Sequence, residues 1–542
     1  MDYALNVPEV LNRILQLTVP SAQAAAAQTC QRWSEPSLQL LWRSLPSIYP
    51  PLKLLAPLVY RTEWESSYQR GQDGWQFETD LFEADWERFN RYTSYTRYIR
   101  FDDKDTFQGQ LGLPSQHLFA DAYLHRPPSD GPIFPNLNAI EWISGDARSL
   151  THILSFLTPS ITSLNISCES PDICTKLLRT LGPRRVSLSH LTLAIPDYDE
   201  AFLKHLTPIL SSQTCLVSAS LPSYLAAHDV VAALGQLPHL KEYTLCDNRS
   251  LRGMKFNWPP GSFASLEKLS LVAPLSDVGE VMGEEYQSRL QSLDITCETP
   301  VEHGQLQSLS TKLSTSLPHL TSLSLFLYSK DFIKDCLPFH SLLPLLQCRA
   351  LSTLVIGHTT PLIYTEGDIK MMGEAWPCMD RLRLCADPVY PESELPGQPL
   401  GSISLFARYF PNLALLGIYI NTFDIPFESS MPARFRVLDV LDIGTSTEMM
   451  ERERLHVLLY LGGALTPTTV LNSGRTTQHL RALYTNTSVY DQRAEFWTNF
   501  ASDLRIIQAS NLVTAIQALT TRNHTLSKEV GRLNDRLHAA SW

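Results

Sequence analysis

The sequence predicts an α/β fold: a repetitive parallel sheet backed by helices, preceded by a small all-α unit and followed by a coiled-coil helix. Three observations predict it. An apolar triplet at i, i+3 and i+5 recurs twelve times between Leu137 and Ile443, with helix-like stretches between the copies. The first forty-five residues carry three short amphipathic segments. The last forty carry apolar residues at alternating steps of four and three, the period of a coiled coil.

In chain order, Val10, Leu11, Ile14 and Leu15 fall at i, i+1, i+4 and i+5, so a helix there bears two apolar strips. Pro8 and Glu9 suit its first turn, since proline lacks only an amide that would be orphaned and the carboxylate favours the dipole. Pro20-Ser21 breaks the pattern and predicts a second helix over Ala22 to Trp33. Glu35-Pro36-Ser37 breaks it again, and Leu38, Leu41, Trp42 and Leu45 form a third stripe. Three short helices bury little surface by themselves, so a spare apolar strip on them calls for a partner.

Residues 51–94 read as a connector: Leu52 to Tyr60 is apolar, Thr62 to Asp80 polar, and Trp86-Glu87-Arg88-Phe89 leads to a first strand at Tyr98-Ile99-Arg100-Phe101. Residues 102–134 read as loop. The repeats then run Leu137/Ile140/Trp142, Ile161/Leu164/Ile166, Leu188/Leu191/Leu193, a weak Leu216/Ala219/Leu221, Leu240/Tyr243/Leu245 and Leu266/Leu269/Leu271. They continue as Leu290/Leu293/Ile295, Leu320/Leu323/Leu325, Leu351/Leu354/Ile356, Met379/Leu382/Leu384, Leu413/Leu416/Ile418 and Leu438/Leu441/Ile443. Asp172 to Leu181, Glu200 to Leu210 and Asp229 to Leu237 are predicted helices. A strand followed by a helix, repeated, makes a parallel sheet whose units bury their apolar faces only by stacking. The solenoid spans 95–470, and the polar stretch 471–503 closes it. From Leu504 to Trp542, Leu512, Leu519, Leu526 and Leu533 take d positions, with Ile516, Asn523, Val530 and Leu537 at a. β-Branched residues and one Asn at a, with Leu at d, predict a parallel homodimer.

Two resemblances arise from these residues. P-E-V-L-x-x-I-L, then C-Q-R-W, then L-L-W-R-S-L, over residues 1–50, resembles an F-box, the segment that docks on a Skp-type adaptor in cullin-based ubiquitin ligases. The form with L-L-W-R-S-L is similar to F-box proteins common in mushroom-forming fungi (basidiomycetes). The resemblance implies that Pro8, Leu11, Leu15 and Trp33 face the adaptor, and that a cullin is reached through it. The repeats resemble an irregular, helix-backed leucine-rich-repeat array, with Asn248 and Asn421 at the position of that family's asparagine ladder. Together they imply the substrate-recognition subunit of a Skp–cullin–F-box ubiquitin ligase. The alternative is a repeat scaffold for protein–protein interaction without a ligase role.

Composition bounds the partners. With 44% hydrophobic and 18% charged residues the chain is globular. A net charge of −11 argues against a nucleic-acid partner. No apolar run is long enough to span a bilayer, and no secretory signal opens the chain, so cytoplasm or nucleus is expected. The ten cysteines show no CxxC pair and no zinc spacing, so no metal and no cofactor is expected. Nucleophile-elbow, P-loop, H-E-x-x-H and deaminase patterns are missing, which argues against a catalyst. Recognition then falls to strand residues between the apolar positions, which alternate to the open face. Early repeats put Ser163, Asn165, Ser167, Thr192, Ser270 and Ser292 there. Later ones put Phe326, Val355, Arg381, Arg383, Leu415, Tyr419 and Val440, of which Phe326, Arg381, Arg383 and Tyr419 are the target-binding candidates. Asp380 and Asp442 are alternative partners for the two arginines.

Overall fold

The structure is a computed structural model. It describes residues 7–61, 74–107, 110–111, 114–115, 117–127, 131–145, 152–169, 171–181, 186–195, 200–227, 229–246, 258–259, 261–282, 289–299, 301–327, 336–388, 397–421, 432–444, 446, 451–466, 468–472, 500–505 and 528. The chain divides into two compact units, Met1–Leu266 and Glu267–Trp542.

The first unit opens with helices α1 (Pro8–Gln16), α2 (Pro20–Ala27) and α3 (Gln31–Arg43). The expected second helix is split: α2 stops at Ala27, and α3 starts at Gln31 and runs through Pro36. Proline at the sixth helical position forfeits one amide and crowds the carbonyl four residues back, yet the stripe of Trp33, Leu40 and their neighbours packs well enough to hold the helix. Leu11, Leu15 and Ala26 form a small core, with Trp33 and Leu40 packed on it. The Gln23 carboxamide donates to the carbonyls of Leu15 (2.9 Å) and Thr18 (3.2 Å), which fastens α2 to the end of α1.

The helical unit does not end in a linker. From α3 the chain passes directly into β1 (Ser44–Leu45), which pairs in parallel with β2 (Tyr98–Asp102), Leu45 opposite Ile99. The sheet continues in chain order through β3 (Ala139–Ser144), β4 (Ser163–Cys168), β5 (His190–Ala194), β6 (Ser218–Pro222) and β7 (Glu242–Cys246). Its register is that of the repeat: Ile99, Ile140, Leu164, Leu191, Ala219 and Tyr243 stand in one row, and from Ile140 on each is the second apolar residue of its unit. The small Ala219 is flanked in that row by the Tyr243 ring, which is buried and stacked on Phe263 at 5.5 Å. Consecutive strands are joined at their starts by a shared carbonyl: the Thr162 and Ser163 amides both donate to Asn138, and those of Ser189 and His190 both donate to Thr162.

Helices α4 (Glu83–Thr93), α5 (Leu118–Leu124), α6 (Pro171–Leu181), α7 (Glu200–Ser212) and α8 (Asp229–Gly235) lie between these strands in sequence. The last three match the predicted helices to within two residues at each end. Two stretches depart from expectation. Leu58–Arg61 and Gly74–Phe77 form an antiparallel pair, and α5 sits in the expected loop with Leu118, Phe119 and Ala122 buried. Phe119 meets Phe156, which in turn meets Trp142, so this helix seals the sheet's apolar face beside β3.

The second unit repeats the plan with β8 (Lys268–Val272), β9 (Ser292–Cys297), β10 (Ser322–Leu327), β11 (Thr353–His358), β12 (Arg381–Leu384), β13 (Leu415–Ile418), β14 (Val440–Asp442) and β15 (Val470–Asn472). Leu269, Leu293, Leu323, Leu354, Leu382, Leu416, Leu441 and Leu471 share one row. Its helices are α9 (Leu275–Val281), α10 (His303–Ser316), α11 (Glu366–Ala375), α12 (Ser402–Tyr409) and α13 (Glu451–Ala464), with 3-10 turns over Phe339–Gln347. β15 lies where the sequence predicts a polar closing stretch. Only Leu471 of its triplet is apolar, so the pattern does not announce it. Residues 500–505 are helical, with Phe500 and Leu504 buried. The dimerisation residues Leu512, Ile516, Leu519, Asn523, Leu526, Val530 and Leu533 lie outside the described residues. No helix among the described residues is long and apolar enough to cross a membrane.

Candidate functional site

Two surfaces collect the candidate residues. On α1 the two apolar strips have different fates. Leu11 and Leu15 are 1% and 2% exposed and point into the three-helix core, while Val10 and Ile14 remain 38% and 39% exposed. Val7, Leu17 and Val19 extend that second strip into solvent. The spare strip is therefore Val7, Val10, Ile14, Leu17 and Val19. Pro8 is exposed at the first helical position, and Trp33 is half-buried against the small core. Of the four adaptor-facing residues that the resemblance implies, Pro8 alone is fully open, Trp33 is partly open, and Leu11 and Leu15 are internal. The sequence holds both strips 100° apart on one helix and does not say which the core takes.

α3 is anchored from its outer side. The Glu35 carboxylate accepts from the Arg91 guanidinium at 2.9 Å and from the Tyr95 hydroxyl, and Trp42 stacks on Tyr92 at 4.8 Å. The Tyr95 hydroxyl first, and Arg91 as well, hold the Glu35 carboxyl below its ordinary value of 4.5. A depressed carboxyl pKa stabilises the fold above the unfolded value and loses that effect as pH falls through the folded one. Tyr95→Phe is expected to move the Glu35 pKa upward, toward 4.5, in a side-chain carbon NMR titration; an unmoved value would exclude the hydroxyl as the main cause.

The second surface is the open face of the second unit, the side whose strand residues keep partial exposure. There Lys268, Ser292, Ser322, Thr353, Arg381, Leu415 and Val440 form one row, and Ser270, Asp294, Ser324, Val355, Arg383, Gly417 and Asp442 form the next. Arg381 is exposed, and its side chain has no hydrogen bond or ion pair among the described residues. Arg383 is clamped. Its Nε donates to Asp442 at 2.9 Å, its Nη2 to Asp387, and its side chain is only 17% exposed. Asp442 was among the sequence alternatives; Asp387, on the turn after β12, takes the place expected of Asp380. Burial pushes the Asp387 carboxyl up, and Arg383 opposes that shift.

Two glycines make room for this clamp. A Cβ on Gly417 would lie 2.5 Å from the Arg383 chain. Gly444 has φ +50° and would press a Cβ to 2.0 Å from the Ala386 carbonyl, so only glycine fits. Gly444→Ala is expected to cost about 1–3 kcal/mol from strain alone, read as a lower denaturation midpoint of the full chain. Tyr419 is buried rather than open, because β13 ends at Ile418 and strand alternation no longer sets its side. Phe326 is half-buried on β10, beside Gly357.

Chemistry among the described residues is sparse. No group of three or more His, Cys, Asp or Glu side chains is arranged to hold a metal there. The buried thiols of Cys348 and Cys385 have their pKa values pushed up to about 11 and about 12 by burial. Such thiols are poor nucleophiles at neutral pH. No family model matches the chain, and no curated protein matches it.

Proposed function

We propose that the chain is the substrate-recognition subunit of a Skp–cullin–F-box ubiquitin ligase, its N-terminal helices binding the adaptor and its leucine-rich-repeat-like sheet binding a target protein. The observation that carries this reading is the row of five aliphatic residues, Val7, Val10, Ile14, Leu17 and Val19, left exposed on and beside α1 in an otherwise packed three-helix unit. An apolar row left uncovered among the described residues is the kind of surface that a protein interface covers. The motif resemblance over residues 1–50 names the partner as a Skp-type adaptor, with a cullin behind it. In this reading Pro8 and Trp33 flank the contact, and Leu11 and Leu15 shape α1 from within.

Target binding is assigned to the open face of the second unit. Arg381 supplies a guanidinium with no side-chain partner among the described residues, with Leu415 in its own row, Val355 in the next row and the Phe326 ring one row beyond. Arg383 serves to shape that face and not to contact the target, since two carboxylates already occupy it. Homodimerisation through residues 504–542 remains part of the proposal. The reading is tested by mixing the purified full chain with a Skp-type adaptor and following co-elution on a sizing column. Stable co-elution is expected. Separate elution at micromolar concentrations of both would overturn the ligase role and leave the scaffold reading.

A further inference from the structure

A cleft of about 420 Å³ lies on the other flank of α1, lined by Asn12, Gln16, Gln39, Leu40, Arg43, Tyr95 and Arg97. Asn12 and Gln16 stand one turn apart, separated from Val10 and Ile14 by the buried Leu11 and Leu15, so this surface is distinct from the aliphatic strip. Two of its seven lining residues are arginines and none is a carboxylate. Among the described residues, the carboxylate bonded to lining residues is Glu35, which accepts from the Tyr95 hydroxyl and from Gln39 Nε2 at 3.3 Å and is paired with Arg91.

Arg97 is held in a way that prepares it. Its Nη1 donates to the carbonyls of Ser94 (3.0 Å), Thr96 (3.4 Å) and Asn136 (3.4 Å) in the turn before β2. Its Nε and Nη2 carry no hydrogen bond among the described residues, and that edge of a guanidinium matches a planar carboxylate with two parallel bonds. Arg43, at the end of α3, has neither ion pair nor side-chain hydrogen bond among the described residues. The remaining lining suits a peptide. Asn12 offers a carboxamide, which pairs with a peptide N–H and C=O, Gln16 offers its amide N–H while its oxygen accepts from Arg13 at 3.3 Å, and Leu40 with the Tyr95 ring gives an apolar wall.

We propose that this cleft binds the terminal carboxylate of a partner polypeptide, with Arg97 and Arg43 on the carboxylate and Asn12 and Gln16 on the last peptide groups. A nucleic-acid strand is disfavoured as the occupant, because the chain as a whole carries a net charge of −11 and two arginines are a small footprint for a polyanion. The assignment does not rest on adaptor docking, since Val10 and Ile14 take no part in it.

The test is an array of short peptides made in two forms, one with a free terminal carboxylate and one with a terminal amide, probed with the labelled full chain. Sequences retained by the array are then measured by fluorescence anisotropy against acetate and inorganic phosphate as competitors. Free-acid peptides are expected to bind roughly tenfold or more tightly than their amides, the loss of a charge-assisted bidentate pair. Arg97→Gln and Arg43→Gln are each expected to remove most of that difference, while Lys204→Gln on α7 leaves it intact. Arg97 also braces a turn, so Arg43→Gln, which removes no internal bond, keeps the test valid if the first variant folds poorly. No carboxylate-dependent peptide on the array, or a difference that survives both substitutions, overturns the proposal. Competition by acetate or phosphate at the affinity of the peptides themselves would overturn it too, by making the cleft a free-anion site.

Discussion

Val10→Asp combined with Ile14→Asp is expected to abolish capture of a Skp-type adaptor while the melting temperature of the chain stays where it was. Both side chains are more than a third exposed and lie outside the small core, so the free protein loses little packing when they change. In a complex they would carry two carboxylates into an apolar contact, and desolvating each without a partner costs several kcal/mol, at least about a hundredfold in Kd. The comparison with Leu11→Asp plus Leu15→Asp is decisive. Those residues are internal, and removing such side chains from a core costs about 2–5 kcal/mol each even without an added charge. That second variant is expected to lose the adaptor by melting α1 away from α2 and α3, visible as lost helical circular dichroism. An adaptor bound by the Val10/Ile14 variant with wild-type affinity would remove the aliphatic strip from the interface.

Arg383→Met is expected to destabilise the second unit by about 3–5 kcal/mol, the cost of leaving buried carboxylates without their counter-charge. Asp387 and Asp442 are 5% and 7% exposed, so water replaces little of what the guanidinium supplies. The effect has a pH signature. With Arg383 gone, burial acts unopposed on Asp387 and holds its folded pKa above the ordinary value of 3.8. A raised carboxyl pKa contributes stability that is present below the unfolded value and lost as pH rises through the folded one. The part of the loss that stems from Asp387 should therefore shrink as pH is lowered through its folded pKa toward 3.8. Adding Asp387→Asn should recover part of the loss at pH 7. A variant as stable as the wild type would show the clamp to be energetically neutral. Arg381→Glu, on an exposed side chain, is by contrast expected to leave stability unchanged, and so isolates binding effects.

What the sequence reveals of this molecule follows from period. The second apolar residue of each triplet marks the row that stands in register within each unit, from Ile140 to Tyr243 in the first and from Leu269 to Leu441 in the second. Each triplet buries two alternate residues and its lead-in, which leaves a strong local signal. The signal fails where a strand is shorter than the pattern. Alternation puts Tyr419 on the open face, but β13 ends at Ile418. β15 keeps one apolar position of three and passes for polar closure. On α1 the two strips are equally apolar, and only the placement of α2 and α3 decides which one is internal. Arg383 reads as an outward cation because strand alternation is local, whereas its partners come from Asp387 past a turn and from Asp442 two strands away. The cleft beside Arg97 is invisible in sequence for the same reason: its lining comes from α1, α3 and the turn before β2, which no spacing rule connects.

The pairing of Ser44 and Leu45 with β2 bears on the order in which the first unit is made during synthesis. In a sheet whose strands follow chain order, each new strand needs only its predecessor as a template, so structure accretes as the chain leaves the ribosome. The Leu45–Ile99 rung closes twice the length of chain that the Leu164–Leu191 rung closes. Loop closure of that length is the slowest of the early steps on entropic grounds. The helical unit therefore emerges before Tyr98–Asp102, and the rung it closes with that strand precedes the later rungs of the first unit, which makes these helices a nucleus for that unit's sheet.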